Sequence, residues 1–166
     1  MNLHLRKAER ADARFLFELR NEAAVREASF NSAHIPWKTH ERWFAGKLCD
    51  AQTALFIAEA EGLPAGQVRF EMMSETEAEV NCALVQSFRG KGYGSLILTD
   101  ASARFLADYP SIARIHAFIK PDNAPSRKSF ERAGYRLVGE TEHKGHLCTE
   151  MIFTREGITG RTSVRL

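Results

Sequence analysis

A glycine-rich segment between an apolar run and a helical pattern constrains this chain more than any other feature. Residues 80–85 (VNCALV) are apolar apart from Asn81 and contain no Gly or Pro, so they are typical of a buried strand. The segment 89–94 (RGKGYG) follows, and a helical pattern begins after it. Glycines let the backbone approach a ligand closely, and the unpartnered amide groups at a helix N-terminus bind phosphate. The segment therefore predicts a phosphate or pyrophosphate site, with Arg89 and Lys91 adding positive charge beside it.

Two common phosphate-binding patterns do not fit this segment. Residues 90–95 do not supply the P-loop pattern GxxxxGK(S/T), and a Rossmann GxGxxG that starts at Gly90 would need glycine where Ser95 stands. The pattern RxxGxG at residues 89–94 instead resembles the acyl-CoA pyrophosphate loop, (Q/R)xxGx(G/A), of the GNAT superfamily of N-acetyltransferases. The loop alone leaves open a glycine-rich turn that binds no ligand.

A second segment supports the resemblance. Residues 119–135 (IKPDNAPSRKSFERAGY) are similar to the second GNAT motif, a strand end followed by NxxSxxx(Y/F)ExxG(F/Y). The matching positions are Asn123, Ser126, Phe130, Glu131, Gly134 and Tyr135. The order of glycine loop, helix, strand and second motif also matches, and the resemblance extends from about Leu3 to Phe153. It implies an acyl-CoA-dependent N-acetyltransferase with acetyl-CoA as co-substrate.

Hydrophobic periodicity predicts seven strands and five helices. The strands are expected near residues 3–7, 53–59, 67–73, 80–85, 114–120, 135–142 and 147–153, and the helices after Asp12, within 21–30, over 40–49, from 95 to before Pro110 and over 126–133. This order predicts an α/β domain with one mixed, mostly antiparallel sheet flanked by helices, as in GNAT proteins. We expect the domain to span residues 1–154 and residues 155–166 to form a loose tail.

Composition narrows the class of protein and its partners. The chain has 166 residues, 44% hydrophobic and 27% charged, which suits one globular domain. A net charge of +2 without a dense Lys/Arg run gives no argument for a nucleic-acid partner. No apolar run is long enough for a membrane span, and the polar N-terminus is unlike a secretory signal. Three widely spaced cysteines offer no zinc motif, so we expect a cytoplasmic protein that uses no metal. The sequence leaves open whether the protein forms a homodimer.

The resemblance implies how acetyl-CoA would bind. The central strand would diverge from the next strand, and the pantetheine arm would lie in the gap and bond to the backbone of Leu84 and Val85. Backbone amides of the loop would hold the pyrophosphate; the residues concerned are Arg89, Gly90, Lys91, Gly92, Tyr93, Gly94 and Ser95. Asn123 and Ser126 would contact the arm near its thiol end, although both could instead cap the last helix.

The sequence also suggests how the amine would lose its proton. No Cys/His or Ser/His/Asp set is recognisable, so direct attack of the amine on the thioester is expected. The resemblance favours Glu79 as the base, and Asn81 on the same strand face could help it to hold a relaying water. Glu77 is the alternative base, and both carboxylates could be solvated turn charges. The Val85 amide is the expected oxyanion donor.

The general acid departs from the family pattern. Many relatives carry Tyr where this chain has Phe130, which has no proton to give. Either another group protonates the CoA thiolate, or the thiolate leaves with its charge stabilised by the site. Tyr135 and Cys82 are expected to pack in the core.

The acceptor would be bound by the N-terminal helices and their loop. Residues 20–44 loosely resemble the corresponding region of bacterial nucleotide-linked aminosugar N-acetyltransferases, including those of the pseudaminic acid pathway. Arg26 could pair with a nucleotide phosphate and Trp37 could stack on a sugar or base, with Asn31 and His40 as further contacts. The alternatives are protein N-terminal acetylation and a non-catalytic acyl-CoA-binding module.

Overall fold

In the computed structural model, which describes residues 2–156, seven strands form one sheet in the order β1-β2-β3-β4-β5-β7-β6. The strands are β1 (Leu3–Lys7), β2 (Thr53–Ala60), β3 (Leu63–Met72), β4 (Glu77–Leu84), β5 (Arg114–Ile119), β6 (Arg136–His143) and β7 (His146–Thr154). The helices are α1 (Ala13–Asn21), α2 (Ala23–Ala28), α3 (Trp37–Cys49), α4 (Tyr93–Asp108) and α5 (Ala124–Ala133).

Neighbouring strands are antiparallel except for β4 and β5, which are parallel. The predicted mixed, mostly antiparallel sheet flanked by helices is confirmed. The β4–β5 pairing runs only from Glu77↔Arg114 to Glu79↔His116, although both strands continue beyond it. The two strands therefore diverge after Glu79, which opens the gap that the family resemblance implies.

The two faces of the sheet differ in character. On one face, Phe70 of β3 stacks on Phe105 of α4 with ring centroids 4.3 Å apart. Burying a side chain of this size stabilises the fold by about 1.5–3 kcal/mol. On the other face, α1 and α3 cover β2 through a smaller cluster that includes Leu16, Phe44 and Ile57. Side chains alternate along a strand, so β3, β4 and β5 present their polar residues to this second face.

Several element boundaries differ from the predictions for local reasons. Helix α3 begins at Trp37, because Pro36 takes the N-cap position and Trp37 already packs edge-on against Phe17. Strand β3 begins at Leu63 rather than at residue 67. Glu61 and Gly62 have φ of 53° and 80°, which makes a tight hairpin turn and lets the next residues pair with β2 at once.

The predicted C-terminal tail begins at residue 155, and the structure describes only its first two residues. Of the predicted tail, residues 157–166 lie outside the described residues. Arg155, which precedes them, donates hydrogen bonds to the carbonyls of Ile112, Leu106 and Tyr109. Within residues 2–156, no helix has the length and apolar character needed to cross a membrane.

Candidate active site

The glycine loop has the backbone geometry that a phosphate cradle needs. Gly90 and Gly92 have φ of 73° and 86°, and Gly92 is the N-cap of α4. A Cβ built at either glycine would meet no atom within 4 Å, so open space lies over the loop. A side chain there would be strained by the positive φ and would also enter that space. The loop and the first turn of α4 therefore fit the pyrophosphate of acetyl-CoA through backbone N–H groups.

Side chains of the loop serve other contacts. The buried Tyr93 donates its hydroxyl hydrogen to Glu61, and burial followed by the Glu61 contact raises the pKa of this phenol. The Ser95 hydroxyl donates to the Gly92 carbonyl at 3.0 Å. Neither side chain is placed as a phosphate ligand, so their predicted role depends on their amides.

The Arg89 side chain points away from the loop. Its Nε and Nη2 donate to the Leu84 carbonyl at 2.8 and 2.6 Å, and Nη2 also contacts Glu22 Oε2 at 2.7 Å. The expectation that Arg89 adds positive charge beside the phosphate is corrected, because a carboxylate already neutralises the guanidinium. Arg89 instead fixes the end of β4 against the junction of α1 and α2.

The backbone of Val85 is already engaged. Its N–H donates to the Ala65 carbonyl at 2.8 Å, and its carbonyl accepts from the Phe88 N–H at 3.0 Å. The predicted oxyanion donor therefore does not fit this geometry. Backbone groups alternate between the two edges of a strand, so those of Cys82 and Leu84 face the gap beside β5, but the Leu84 carbonyl already accepts hydrogen bonds from Arg89.

The second motif forms a capped helix and part of the core. Asn123 Oδ1 accepts a hydrogen bond from the Ser126 N–H at 3.2 Å, so Asn123 caps α5. This is the role that the sequence offered as the alternative to a contact with the pantetheine arm. Phe130 is 6% exposed and packs edge-on against Tyr135. The Tyr135 hydroxyl lies 2.7 Å from Ser102 Oγ, and burial raises the pKa of this phenol. Neither ring is placed to serve as the missing acid.

The chemistry of Cys82 supports direct transfer. Burial raises the pKa of its thiol to about 12, so the sulfur stays protonated near neutral pH. A half-buried, neutral thiol is a poor nucleophile, which argues against an acyl-cysteine intermediate at this position.

Glu79 lies on the polar face of the sheet and has two partners from the β6–β7 hairpin. His143 Nε2 is 3.2 Å from Glu79 Oε1, and Lys144 Nζ is 3.4 and 3.1 Å from its two carboxylate oxygens. Asn81 lies on the same face, as predicted, but its Oδ1 accepts from Gln67 Nε2 at 2.8 Å. The two predicted catalytic side chains thus belong to different hydrogen-bond pairs.

The remaining carboxylates of this face are also paired. Glu71 contacts Arg69 at 2.7 Å and Lys47 at 3.2 Å. Glu150 Oε1 lies 2.7 Å from His116 Nδ1. Glu77 is 3.5 Å from both Arg114 and His116.

Two arginines from α1 and α2 have donors without a protein partner. Arg20 Nη2 donates to the Asn31 carbonyl at 2.7 Å, but the buried Nη1 has no partner. The buried Nε of Arg26 likewise has none. Burial, and then the positive charges of Arg69 and Arg26, lower the pKa of Arg20.

Two predicted acceptor contacts have other environments. His40 is 2% exposed, and its Nε2 bonds to the Ala13 carbonyl at 3.1 Å between α1 and α3. Burial lowers the pKa of this imidazole, so His40 is a core residue and its predicted contact with the acceptor is corrected. Trp37 is half-buried, and the Arg14 guanidinium lies 4.3 Å from its ring centroid. The Asn31 side chain accepts from the Ala33 N–H and shapes its own loop.

Sequence reasoning missed the residues that the hairpin brings to the site. The sequence did indicate the turn itself, because Lys144-Gly145 between two histidines is typical of a tight turn. In the structure, Lys144 and Gly145 have φ of 51° and 80°. Nothing local places that turn over β4, since 64 residues separate Glu79 from His143. No cluster of three or more His, Cys, Asp or Glu side chains suited to a metal occurs in the described range 2–156.

Comparison with known proteins agrees with this geometry. Residues 2–136 match the Acetyltransferase (GNAT) domain family. YwnH of Bacillus subtilis, provisionally named a phosphinothricin acetyltransferase, is 30% identical over 142 residues, which cover 81% of this chain and 85% of YwnH.

Many solved structures share the fold, and two of them illustrate the similarity. One is the aminoglycoside acetyltransferase AAC(6')-Ib in complex with coenzyme A, with a TM-score of 0.86, 19% identity and coverage of 98% of this chain and 100% of that one. The other is spermidine N-acetyltransferase of Vibrio cholerae in complex with CoA and spermine, with a TM-score of 0.83, 18% identity and coverage of 95% and 98%. The chain belongs to the GNAT acetyltransferase family, and the protein is an acetyl-CoA-dependent N-acetyltransferase that acts on an amine.

Proposed function

We propose that the acceptor is a primary amine in a molecule that also carries an anionic group, and that a nucleotide-linked amino sugar is the substrate. The observation that carries this proposal is the pair of buried, unpartnered guanidinium donors on Arg20 and Arg26. A buried charged donor without a partner is costly, so a ligand anion is the natural complement. Guanidinium groups bind phosphate and carboxylate oxygens with particular strength.

Charge balance on the acceptor face points the same way. Glu71, Glu79 and Glu150 each have a basic or imidazole partner within 3.2 Å. A polycationic acceptor would have to displace such a partner and would be repelled by the guanidinium groups of Arg20, Arg26 and Arg69. The spermine bound by one structural neighbour is therefore a poor guide to the acceptor of this protein.

A sugar or base ring would have aromatic surface nearby. Trp43 is 37% exposed, and the Arg69 guanidinium lies 5.0 Å from its ring centroid. Phe30, which follows α2, stacks on His146 at 5.3 Å. Such partly exposed rings on both sides of the polar face suit a ligand with a planar or cyclic part.

The proposal is tested by following CoA release with a nucleotide-linked amino sugar, the free amino sugar, spermidine, an aminoglycoside and N-terminal peptides. We expect the nucleotide-linked sugar to have the highest kcat/KM. Equal activity on the free sugar would contradict the anion contact. Activity confined to peptides would move the acceptor to protein N-termini.

Arg26 provides the matching mutational test. Arg26→Ala should raise KM for the anionic acceptor by roughly 10- to 100-fold, equivalent to about 1.5–3 kcal/mol for a charged hydrogen bond. KM for acetyl-CoA should not change, because the contact is with the acceptor alone. Arg42→Ala, on the exposed side of α3, is the control and should leave both KM values unchanged. An unchanged acceptor KM in Arg26→Ala would exclude Arg26 from the acceptor site.

A further inference from the structure

The histidine of the β6–β7 hairpin lies at the mouth of the gap between β4 and β5. Glu79 and His116 form the last residue pair before these strands diverge. Phe118, two residues further along β5, lies on the same face as His116, with ring centroids 6.0 Å apart. The His143 ring lies flat on Phe118, with ring centroids 3.8 Å apart and planes 7° apart. The imidazole is therefore held on the diverging part of β5, beside the gap where the acetyl thioester is expected.

Hydrogen bonding fixes which ring nitrogen can accept a proton. Glu79 Oε1 is 3.2 Å from His143 Nε2, and an ionised carboxylate can only accept, so Nε2 carries the hydrogen. The lone pair then resides on Nδ1. Lys144 Nζ contacts both oxygens of the same carboxylate. Glu79 is thus engaged by two donors, whereas Nδ1 of His143 remains a proton acceptor.

We propose that His143 is the general base of acetyl transfer and that Glu79 is a positioning residue that sets its tautomer and orientation. This deepens the reaction stated above and does not depend on the anionic group of the acceptor. In this proposal Glu79 does not remove the proton itself, as the sequence suggested, but acts through His143.

The proton and bond changes balance without another reactant. Nδ1 of His143 takes one proton from the acceptor ammonium, and the nitrogen lone pair attacks the thioester carbon. The C–N bond forms and the C–S bond breaks, and CoA leaves as the thiolate. The nitrogen loses a second proton as the amide forms, which neutralises the thiolate, and His143 returns its proton to water.

The charges around the imidazole come from every element packed against it. They are Glu79 on β4, Glu71 opposite it on β3 with its partner Arg69, His116 on β5, Glu150 on β7, and Lys144 and His146 of the hairpin itself. A base must be neutral to act, so kcat/KM of the wild type should fall at acidic pH.

The kinetic test uses the acceptor with the highest kcat/KM. His143→Gln should lower kcat by roughly 10²–10⁴-fold, the usual contribution of a general base, and should remove the acidic limb of the pH profile. Glu79→Gln should also lower kcat and shift that limb without removing it. His4→Gln, an exposed histidine on β1, is the control and should behave as the wild type. A near-wild-type kcat in His143→Gln would overturn the assignment. A loss of kcat of this size in His146→Gln, with none in His143→Gln, would assign the base to the neighbouring histidine instead.

Two measurements separate this proposal from loss of folding or loss of function. Calorimetry should give wild-type affinity for CoA in His143→Gln, because the glycine loop is untouched. Long-range ¹H–¹⁵N NMR of the wild type should find the Nε2–H tautomer of His143, and Glu79→Gln should change the tautomer ratio. An Nδ1–H tautomer in the wild type would overturn the proposal even if no acceptor were turned over.

Discussion

At the scale of single residues, Arg89 matches the family pattern, but its side chain does not have the role that the pattern implies. The family pattern includes this position, yet its guanidinium binds the Leu84 carbonyl and Glu22. A carbonyl and a carboxylate from two elements satisfy most of its donors, so a phosphate has little to gain from the side chain. The pattern still predicted the loop, because the turn of the backbone needs these residue types. The arginine itself contacts other parts of the protein and not the ligand.

Gly92 gives the sharpest residue-scale prediction. Gly92→Val should reduce CoA affinity by at least about 100-fold, since the new side chain enters the open space above the α4 N-terminus and strains φ = 86°. Calorimetric titration with CoA measures the change. Gly145→Val separates strain from obstruction, because Gly145 has φ = 80° and equally open space in the β6–β7 turn, which is not part of the glycine loop. Equal CoA affinity in wild type and Gly92→Val would remove the loop from the pyrophosphate site.

At the scale of elements, the sequence was informative where structure depends on neighbours in the chain. Strand β1 was predicted with the bounds that the structure has, and the helix predicted to end before Pro110 ends at Asp108. Predictions failed where tertiary contacts decide. His40 carries a polar ring that sequence reasoning assigned to a ligand, but α1 supplies its partner from 27 residues away.

An ion-pair network joins three elements and makes stability depend on pH. Arg6 of β1 contacts Asp12 before α1 and Glu59 of β2, each at 2.7 Å. Burial alone would raise the pKa of Asp12, but the hydrogen bonds from Arg6 and the Glu9 amide outweigh it and hold the pKa below its ordinary value. The unfolded carboxyl binds protons more readily, so this stabilisation is present above about pH 4 and is lost as pH falls through the folded pKa.

Asp12→Asn should therefore lower the free energy of unfolding at pH 7 by about 1–3 kcal/mol, the range for hydrogen bonds to a charged group, because Asp12 is buried and its partner Arg6 is partly exposed. The difference from the wild type should shrink below pH 4. Urea unfolding at several pH values measures it, and Asp122→Asn, at an exposed position, serves as the control. A difference that stays constant from pH 7 to pH 3 would show that the charge of Asp12 contributes nothing.

At the scale of the whole molecule, the divergence of β4 and β5 organises both of the proposed substrate sites. The gap exposes one backbone edge of β4 to a ligand, the glycine loop follows at its far end, and the polar face lies beside its start. The sequence predicted the cofactor side, because strand, loop and helix are consecutive. It also predicted that the N-terminal helices would form the acceptor side, but it could not predict the long-range contacts that bring the last hairpin and the end of β5 against them. Lys120, for example, donates to the Glu27 carbonyl across 93 residues.

This arrangement predicts where CoA stabilises the fold. A ligand that binds only the folded state adds about 2.7 kcal/mol at 100 times its Kd, which should raise Tm by roughly 5–11 °C for a chain of this size. Because the ligand bridges the gap, amide hydrogen exchange should slow most at residues 80–84, 90–95 and 117–119. Strands β1 and β2 should change little, since they lie on the far side of the sheet. Gly92→Val should lose both effects, whereas Arg26→Ala should keep them, because its contact is with the acceptor. Protection centred on β1 and β2 would place CoA elsewhere and would contradict the gap as its binding site.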